Sequence, residues 1–196
     1  MNPSFMKRIC AFIIDIMIVN ILVSVIGVFI PVSDNISNLN TELVTANEQY
    51  LNKEIDEFTY LSVVYNVEYD LEKETIPISI ISAVVSLLYF VVLPFYKKGQ
   101  TLGKRMFNLK IVKSNNGVLE MNDLVIRAFI NNGIFISLAK LLLIFVIKEP
   151  KIMVISGVIL SYIQFAVWIV SLIMIIFTNK KQGIHGIISK TEVVEG

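Results

Sequence analysis

The chain has 196 residues, of which 55% are hydrophobic and 17% charged, and its formal net charge is +1. Soluble domains carry about a quarter charged residues, so this balance, with a mean hydropathy of +0.72, excludes an ordinary soluble core and points to long apolar segments in a bilayer. One cysteine (Cys10, read as a small apolar helix residue) and one histidine (His185) exclude an intramolecular disulfide and a clustered His/Cys metal site, and neither a metal nor a cofactor is expected.

The first apolar run, Ile9 to Ile30, follows Lys7-Arg8 and stops at Pro31. It is too long for the apolar core of a cleaved leader, and no small-x-small site follows, so it reads as a span. Residues 31–75 form a long loop. Within it Leu51, Ile55 and Phe58 recur at helical spacing, and Thr45-Ala46-Asn47-Glu48 has the form of a capping box. These features predict an amphipathic helix; the alternative is a solvated acidic loop. Tyr50, Tyr60, Tyr65 and Tyr69 suit a membrane–water boundary.

The second run, Ile76 to Tyr96, has Thr75 as a candidate cap, Pro77 in its first turn and Lys97-Lys98-Gly99 as its stop. Pro94 is either tolerated near the end or kinks it. Ser79 with Ala83, and Ser82 with Ser86, form small-x-x-x-small pairs of the kind that let helix backbones approach in lipid. In the loop 97–127, Leu109 to Lys113 is followed by Ser114-Asn115-Asn116-Gly117 and Val118-Leu119. Asn-Gly between short β-prone runs predicts a hairpin, marginal unless it packs on the helix ends.

The third run, Ala128 to Ile147, is interrupted by Asn131-Asn132-Gly133 and by Lys140. The fourth, Ile152 to Thr178, follows the short turn Lys148-Glu149-Pro150-Lys151, which makes runs three and four an antiparallel pair. Each run has roughly the 20 residues that a hydrocarbon layer of about 30 Å requires. The predicted fold is an all-α membrane protein: a four-helix transmembrane bundle with spans at about 9–30, 76–96, 128–147 and 152–178, and a small cytoplasmic β-hairpin between helices 2 and 3. The whole of 1–196 forms one domain.

Charge sets the orientation. Residues 97–127 hold Lys97, Lys98, Lys104, Arg105, Lys110, Lys113 and Arg127 against Glu120 and Asp123. Residues 31–75 hold ten acids against Lys53 and Lys73. The start carries Lys7 and Arg8, and the tail carries Lys180, Lys181 and Lys190. With four spans every basic segment falls on one side, which places both termini in the cytoplasm of a cell-membrane protein and the acidic loop outside.

Asp15 stands about 10 Å into the first run. An acid there needs a partner, a proton or water. It reads either as part of an ion or proton relay, or as a buried ion pair that fixes helix packing. Arg8, two turns away, and Lys140, about 18 Å along run three, are its candidate partners; Lys140 alternatively snorkels outward. Asn20, Asn131, Asn132 and Gln164 either line a polar path or hydrogen-bond helix to helix. Gly99-Gln100-Thr101-Leu102-Gly103-Lys104-Arg105 is not a phosphate loop, since Arg105 occupies the hydroxyl position. Lys104 and Arg105 are expected at lipid head groups.

Arg8 to Asp15 resembles the Arg-x2-Ala-x3-Asp opening of RDD-family membrane proteins. Gly99 to Arg105 is similar to that family's Gly-Gln-Thr-Leu-Gly-Lys-Arg loop, Leu109 to Gly117 to the strand and turn after it, and Arg127 to the arginine opening the next helix. Gly183 to Thr191 resembles the closing motif, whose acid after the histidine is replaced here by Gly186. The resemblance implies a membrane fold and transport of ions or small solutes. Four spans enclose little volume, so a homo-oligomer is expected. The rival reading is a non-catalytic envelope accessory protein that meets a protein partner through its outer loop. No nucleophile–base pair is visible in the spans, so no enzyme is expected, and no nucleic-acid partner is expected.

Overall fold

A computed structural model describes residues 3–31, 33–115, 117–178 and 181–196. The chain is mostly helical, with one two-stranded antiparallel sheet. Helix α1 (Phe5–Gly27) begins before the apolar run because the Ser4 hydroxyl accepts from the Lys7 amide at 3.4 Å. Asp15 therefore lies about 15 Å from the helix start rather than 10. Ala11, Asp15 and Val19 form the buried stripe of α1 at i, i+4 and i+8 spacing.

The region after α1 is a helical hairpin, α2 (Asp34–Leu51) and α3 (Glu57–Glu74), not one amphipathic helix. Ser33 and Asp56 cap the two helices, accepting from the amides of Asn35 and Thr59. The expected capping box at Thr45 falls inside α2, where the Thr45 hydroxyl donates to the Thr41 carbonyl. Tyr50 and Tyr60 stack across the hairpin with ring centroids 4.6 Å apart. Tyr69 is buried and donates to the Ile147 carbonyl at 3.3 Å, and Lys73 lies 3.9 Å over its ring. These contacts seat the hairpin on the helix ends near Ile76 and Ile147.

Helix α4 (Ile76–Leu87), a π turn (Leu88–Val92) and α5 (Leu93–Tyr96) run on as one apolar stretch. Thr75 does not cap it; its hydroxyl turns back to the carbonyls of Leu71 and Glu72. Pro94 has no N–H, so the ladder is short of a donor there. The helix widens, and the Leu93 amide reaches the Leu88 carbonyl. Tyr89 and Phe90 are thereby buried against α1 and its neighbours.

Helix α6 (Leu102–Met106) leads into β1 (Leu109–Lys113). The strand does not pair with Val118-Leu119. It pairs antiparallel with β2 (Thr191–Glu195), from Leu109 opposite Glu195 to Lys113 opposite Thr191. Residues 118–120 are too few for a ladder, because Glu120 begins the cap of the next helix, its amide donating to Asp123 at 3.0 Å. The tail offers five strand residues and buries Val193 opposite Ile111. The predicted hairpin between helices 2 and 3 is thus replaced by a sheet joining the loop 97–127 to the C-terminal tail.

The predicted third span is two helices, α7 (Met121–Asn131) and α8 (Ile134–Val146), bent by 69°. Gly133 makes the break at φ +67, in the left-handed region that favours glycine. Helix α9 (Pro150–Phe177) starts earlier than its apolar run because Glu149 caps it, accepting from Ile152 at 2.7 Å. Helix α10 (Ile184–Ile188) precedes β2. Three helices, Phe5–Gly27, Ile76–Tyr96 and Pro150–Phe177, are long and apolar enough to cross a membrane; α7 and α8 pass the same test together. Only 6% of the α9 window is buried, so most of that helix presents apolar side chains outward. The main core, with Ala11, Phe90, Leu109, Ile111, Leu124 and Ala128, sits at the end that carries the sheet and the start of α1.

Candidate functional site

Two polar constructions share the sheet end of the molecule. The first is built on Asp15, which is fully buried. Its Oδ1 accepts from the Tyr89 hydroxyl at 2.7 Å and from the Gly103 amide at 2.8 Å. Its Oδ2 accepts from the Thr101 hydroxyl at 2.6 Å and from Lys104 Nζ at 3.3 Å. A carboxylate has about four lone-pair sites, so Asp15 is saturated. Neither Arg8 nor Lys140 is its partner: Lys104 supplies the ammonium that was expected from them.

The glycine-containing loop supplies the donors. Gly99 adopts φ +85, and a Cβ there would overlap the Ile111 carbonyl oxygen. Its own carbonyl accepts from the Ile111 amide at 2.8 Å, which ties the loop to β1. Thr101 caps α6 through Lys104 N while donating to Asp15. At Gly103 a Cβ would overlap the Ala11 carbonyl oxygen and stand 2.7 Å from Asp15 Oδ1, so only glycine lets α6 lie this close to α1. The segment expected at head groups is therefore a clamp: Lys104 turns inward to Asp15, and Arg105 alone of the pair is exposed. Burial pushes the Lys104 ammonium below its ordinary value, and the attraction of Asp15 works against that shift.

The second construction is a chamber of about 270 Å³ beside the clamp. Arg8, Lys104, Arg127, Asn131, Asn132, Ser171 and His185 supply its polar wall; Phe5, Ile9, Phe12, Trp168, Leu172 and Ile175 are among its apolar lining. Arg8 donates to the carbonyls of Lys181 and Val193, at 2.5 and 3.2 Å. Arg127 donates to the Thr191 hydroxyl at 2.9 Å, and Thr191 in turn meets Ser189 at 2.7 Å. His185 is held well below the usual imidazole range, first by burial and then by the charges of Arg127, Lys104 and Arg8. It is neutral at physiological pH.

Asn131 and Asn132 lie at the α7–α8 break, their side chains 3.4 Å apart. The carbonyls that the break frees are taken by α9. Gln164 Nε2 donates to Ile130 at 3.2 Å, and Trp168 Nε1 donates to Asn131 at 2.7 Å. Backbone broken in apolar surroundings needs such partners. Beyond the break a second cavity of about 440 Å³ is lined by Lys140 with Ser79, Ser82, Ser137 and Glu72. Asn20 is exposed on α1 and lines neither of these cavities.

The structure brings Arg8, Asn131 and Asn132 into one chamber and puts Asp15 beside it and Lys140 in the other. Tyr89, Thr101, Ser171 and His185 were absent from the sequence-based site. Thr101 and His185 stood inside motifs already marked, which was the available signal; Tyr89 and Ser171 lie in apolar runs that carry none. Among the described residues no group of three or more His, Cys, Asp or Glu side chains is placed to hold a metal ion. In comparison with known proteins, the model of the RDD family matches residues 2–190. No curated protein and no solved structure matches the chain.

Proposed function

The chain belongs to the RDD family, and on that premise we propose that it crosses the cell membrane four times, both termini in the cytoplasm, and carries ions or small solutes. The bent pair α7–α8 is the third crossing in this reading, completing a four-helix bundle with the three long apolar helices. The basic sheet end faces the cytoplasm and the acidic α2–α3 hairpin faces outside. One observation carries the transport reading: the helix break at Gly133 has a largely apolar cavity on either side into which charged side chains are set, Arg8 and Arg127 in one and Lys140 in the other. Discontinuous helices with polar groups at their breaks are how membrane transporters place solute sites. Asp15 holds the loop clamp in register beside the first cavity. Copies of the chain associate as a homo-oligomer in this reading, because four spans enclose little volume.

Reconstitution in proteoliposomes tests this. Flux of protons, cations and small anions is measured for the wild type, for Lys140→Gln and for Asp15→Asn. Lys140 forms no ion pair among the described residues, so Lys140→Gln is expected to keep stability while lowering flux. A wild type that moves none of these solutes above protein-free vesicles rules the reading out. The second reading, an accessory protein of the envelope, is favoured by the α2–α3 hairpin, which is closed by its own Tyr50–Tyr60 stack. Deleting 35–68, which leaves the cavity-lining Glu72 in place, while retaining flux, with loss of a co-purifying protein, would select it for that region.

A further inference from the structure

The chamber carries more positive charge than its surroundings balance. Arg8 enters from α1 and Arg127 from α7, while the charge of Lys104 is already matched by Asp15. Among the described residues no carboxylate lies within 4.0 Å of either guanidinium. Glu192 acts on Arg8 only from farther away. Cations held in apolar surroundings without a counter-charge are strongly unfavourable. Three buried polar atoms there also lack a partner among the described residues: Arg8 Nε, Ser171 Oγ and His185 Nδ1. Ser171 and His185 are only 5% and 8% exposed. They converge, since a methyl on Gly183 would stand 3.1 Å from Ser171 Cβ and 3.2 Å from His185 Nδ1.

We propose that this chamber binds a phosphate-type anion, its oxygens held by Arg8, Arg127 and the Ser171 hydroxyl. Guanidinium groups present paired N–H donors that match phosphate oxygens. The neutral His185 adds a hydrogen bond rather than a fourth charge. The opposite wall is apolar, with Ile9 and Phe12 on α1 and Trp168 and Leu172 on α9. Trp168 and Leu172 keep 37% and 42% of their surface exposed, so this wall continues onto the lipid-facing side. A free phosphate ion and the head group of an anionic phospholipid share the required chemistry. The proposal deepens the transport reading by naming its ligand class and rests on that reading's membrane placement, but it is measured by binding alone.

The single tryptophan of the chain, Trp168, lines the chamber and reports on it. The full-length protein in phosphatidylcholine nanodiscs is titrated with inorganic phosphate and with short-chain phosphatidylglycerol, short-chain phosphatidylcholine serving as control, while Trp168 emission is followed. A saturable response to phosphate or phosphatidylglycerol, absent with the control, is expected. Arg8→Gln is expected to weaken it about tenfold and Ser171→Ala on the order of threefold. Preference for phosphatidylglycerol assigns the lipid head group, and preference for inorganic phosphate assigns the free ion. If Arg8→Gln does not fold, Ser171→Ala decides alone, because it removes a hydroxyl that has no partner among the described residues. No response to either anion, or a response indifferent to these substitutions, overturns the proposal. Binding without flux sinks the transport reading and leaves this one standing; flux without binding does the reverse.

Discussion

Asp15 and Arg127 are both charged side chains withdrawn from water at the same end of the molecule, and their surroundings differ. Asp15 meets a hydroxyl from the π turn, a hydroxyl and an amide from the loop, and the ammonium of Lys104. Among the described residues Arg127 meets one hydroxyl, that of Thr191. A carboxylate with four donors is finished: it ties α1, the π turn and α6 together and needs nothing more. A guanidinium with one acceptor is unfinished. The difference separates a structural charge from one that awaits a ligand.

Removing the finished charge should have the largest effect. Asp15→Ala leaves the Thr101 and Tyr89 hydroxyls and Gly103 N without their acceptor and Lys104 with only the Thr101 hydroxyl, and is expected to cost about 3–5 kcal/mol, as for one member of a buried pair. Thermal unfolding in detergent reads this directly. Lys104→Met should cost less, because three donors remain on Asp15. Equal losses would mean that the ion pair, not the hydrogen-bond set, holds the clamp, and the contrast with Arg127 would weaken.

Next in size is Gly103→Ala. The added methyl meets the Ala11 carbonyl and Asp15, forcing α6 off α1 at a cost of about 1–3 kcal/mol, the range for overpacking. A mutant as stable as the wild type would show that the approach of α6 to α1 is slack.

The smallest effect belongs to the chamber and is read against pH. The folded imidazole of His185 sits well below the ordinary value of 6.5, so below about pH 6.5 the unfolded chain takes up a proton that the folded chain refuses. Stability from this group is therefore complete above that pH and is lost as pH falls toward the folded value. A fall in Tm of about a few degrees is expected between pH 7.5 and pH 5, and His185→Gln should remove that part of it. An unchanged pH profile in the variant would place the imidazole in contact with water.

Much of the fold was legible because bilayer crossing is written one residue at a time. The runs from Ile9, Ile76 and Ile152 correspond to the three long apolar helices, with ends shifted by caps at Ser4 and Glu149. The interruption at Asn131-Asn132-Gly133 was visible as a sequence feature, but its consequence was not. Whether such a break bends a helix depends on partners for its freed carbonyls, and those come from Gln164 and Trp168, 34 and 37 residues away. The strand at Leu109 was legible and its mate was not. A local Asn-Gly turn suggested Val118, whereas pairing went to the tail, where burial of Val193 and five paired residues outweigh proximity.

The sequence alone determined where apolar helices form, which segments are basic or acidic, and that Asp15 needed company. Only the tertiary structure decided whose company. Tyr89 and Thr101 stand 74 and 86 residues from Asp15, and the choice between them and Arg8 or Lys140 depends on which faces of the helices meet. Hydropathy is a property of single side chains against a solvent. Satisfaction of a buried charge is a property of groups brought together from distant parts of the chain, so it appears only when the helices are packed.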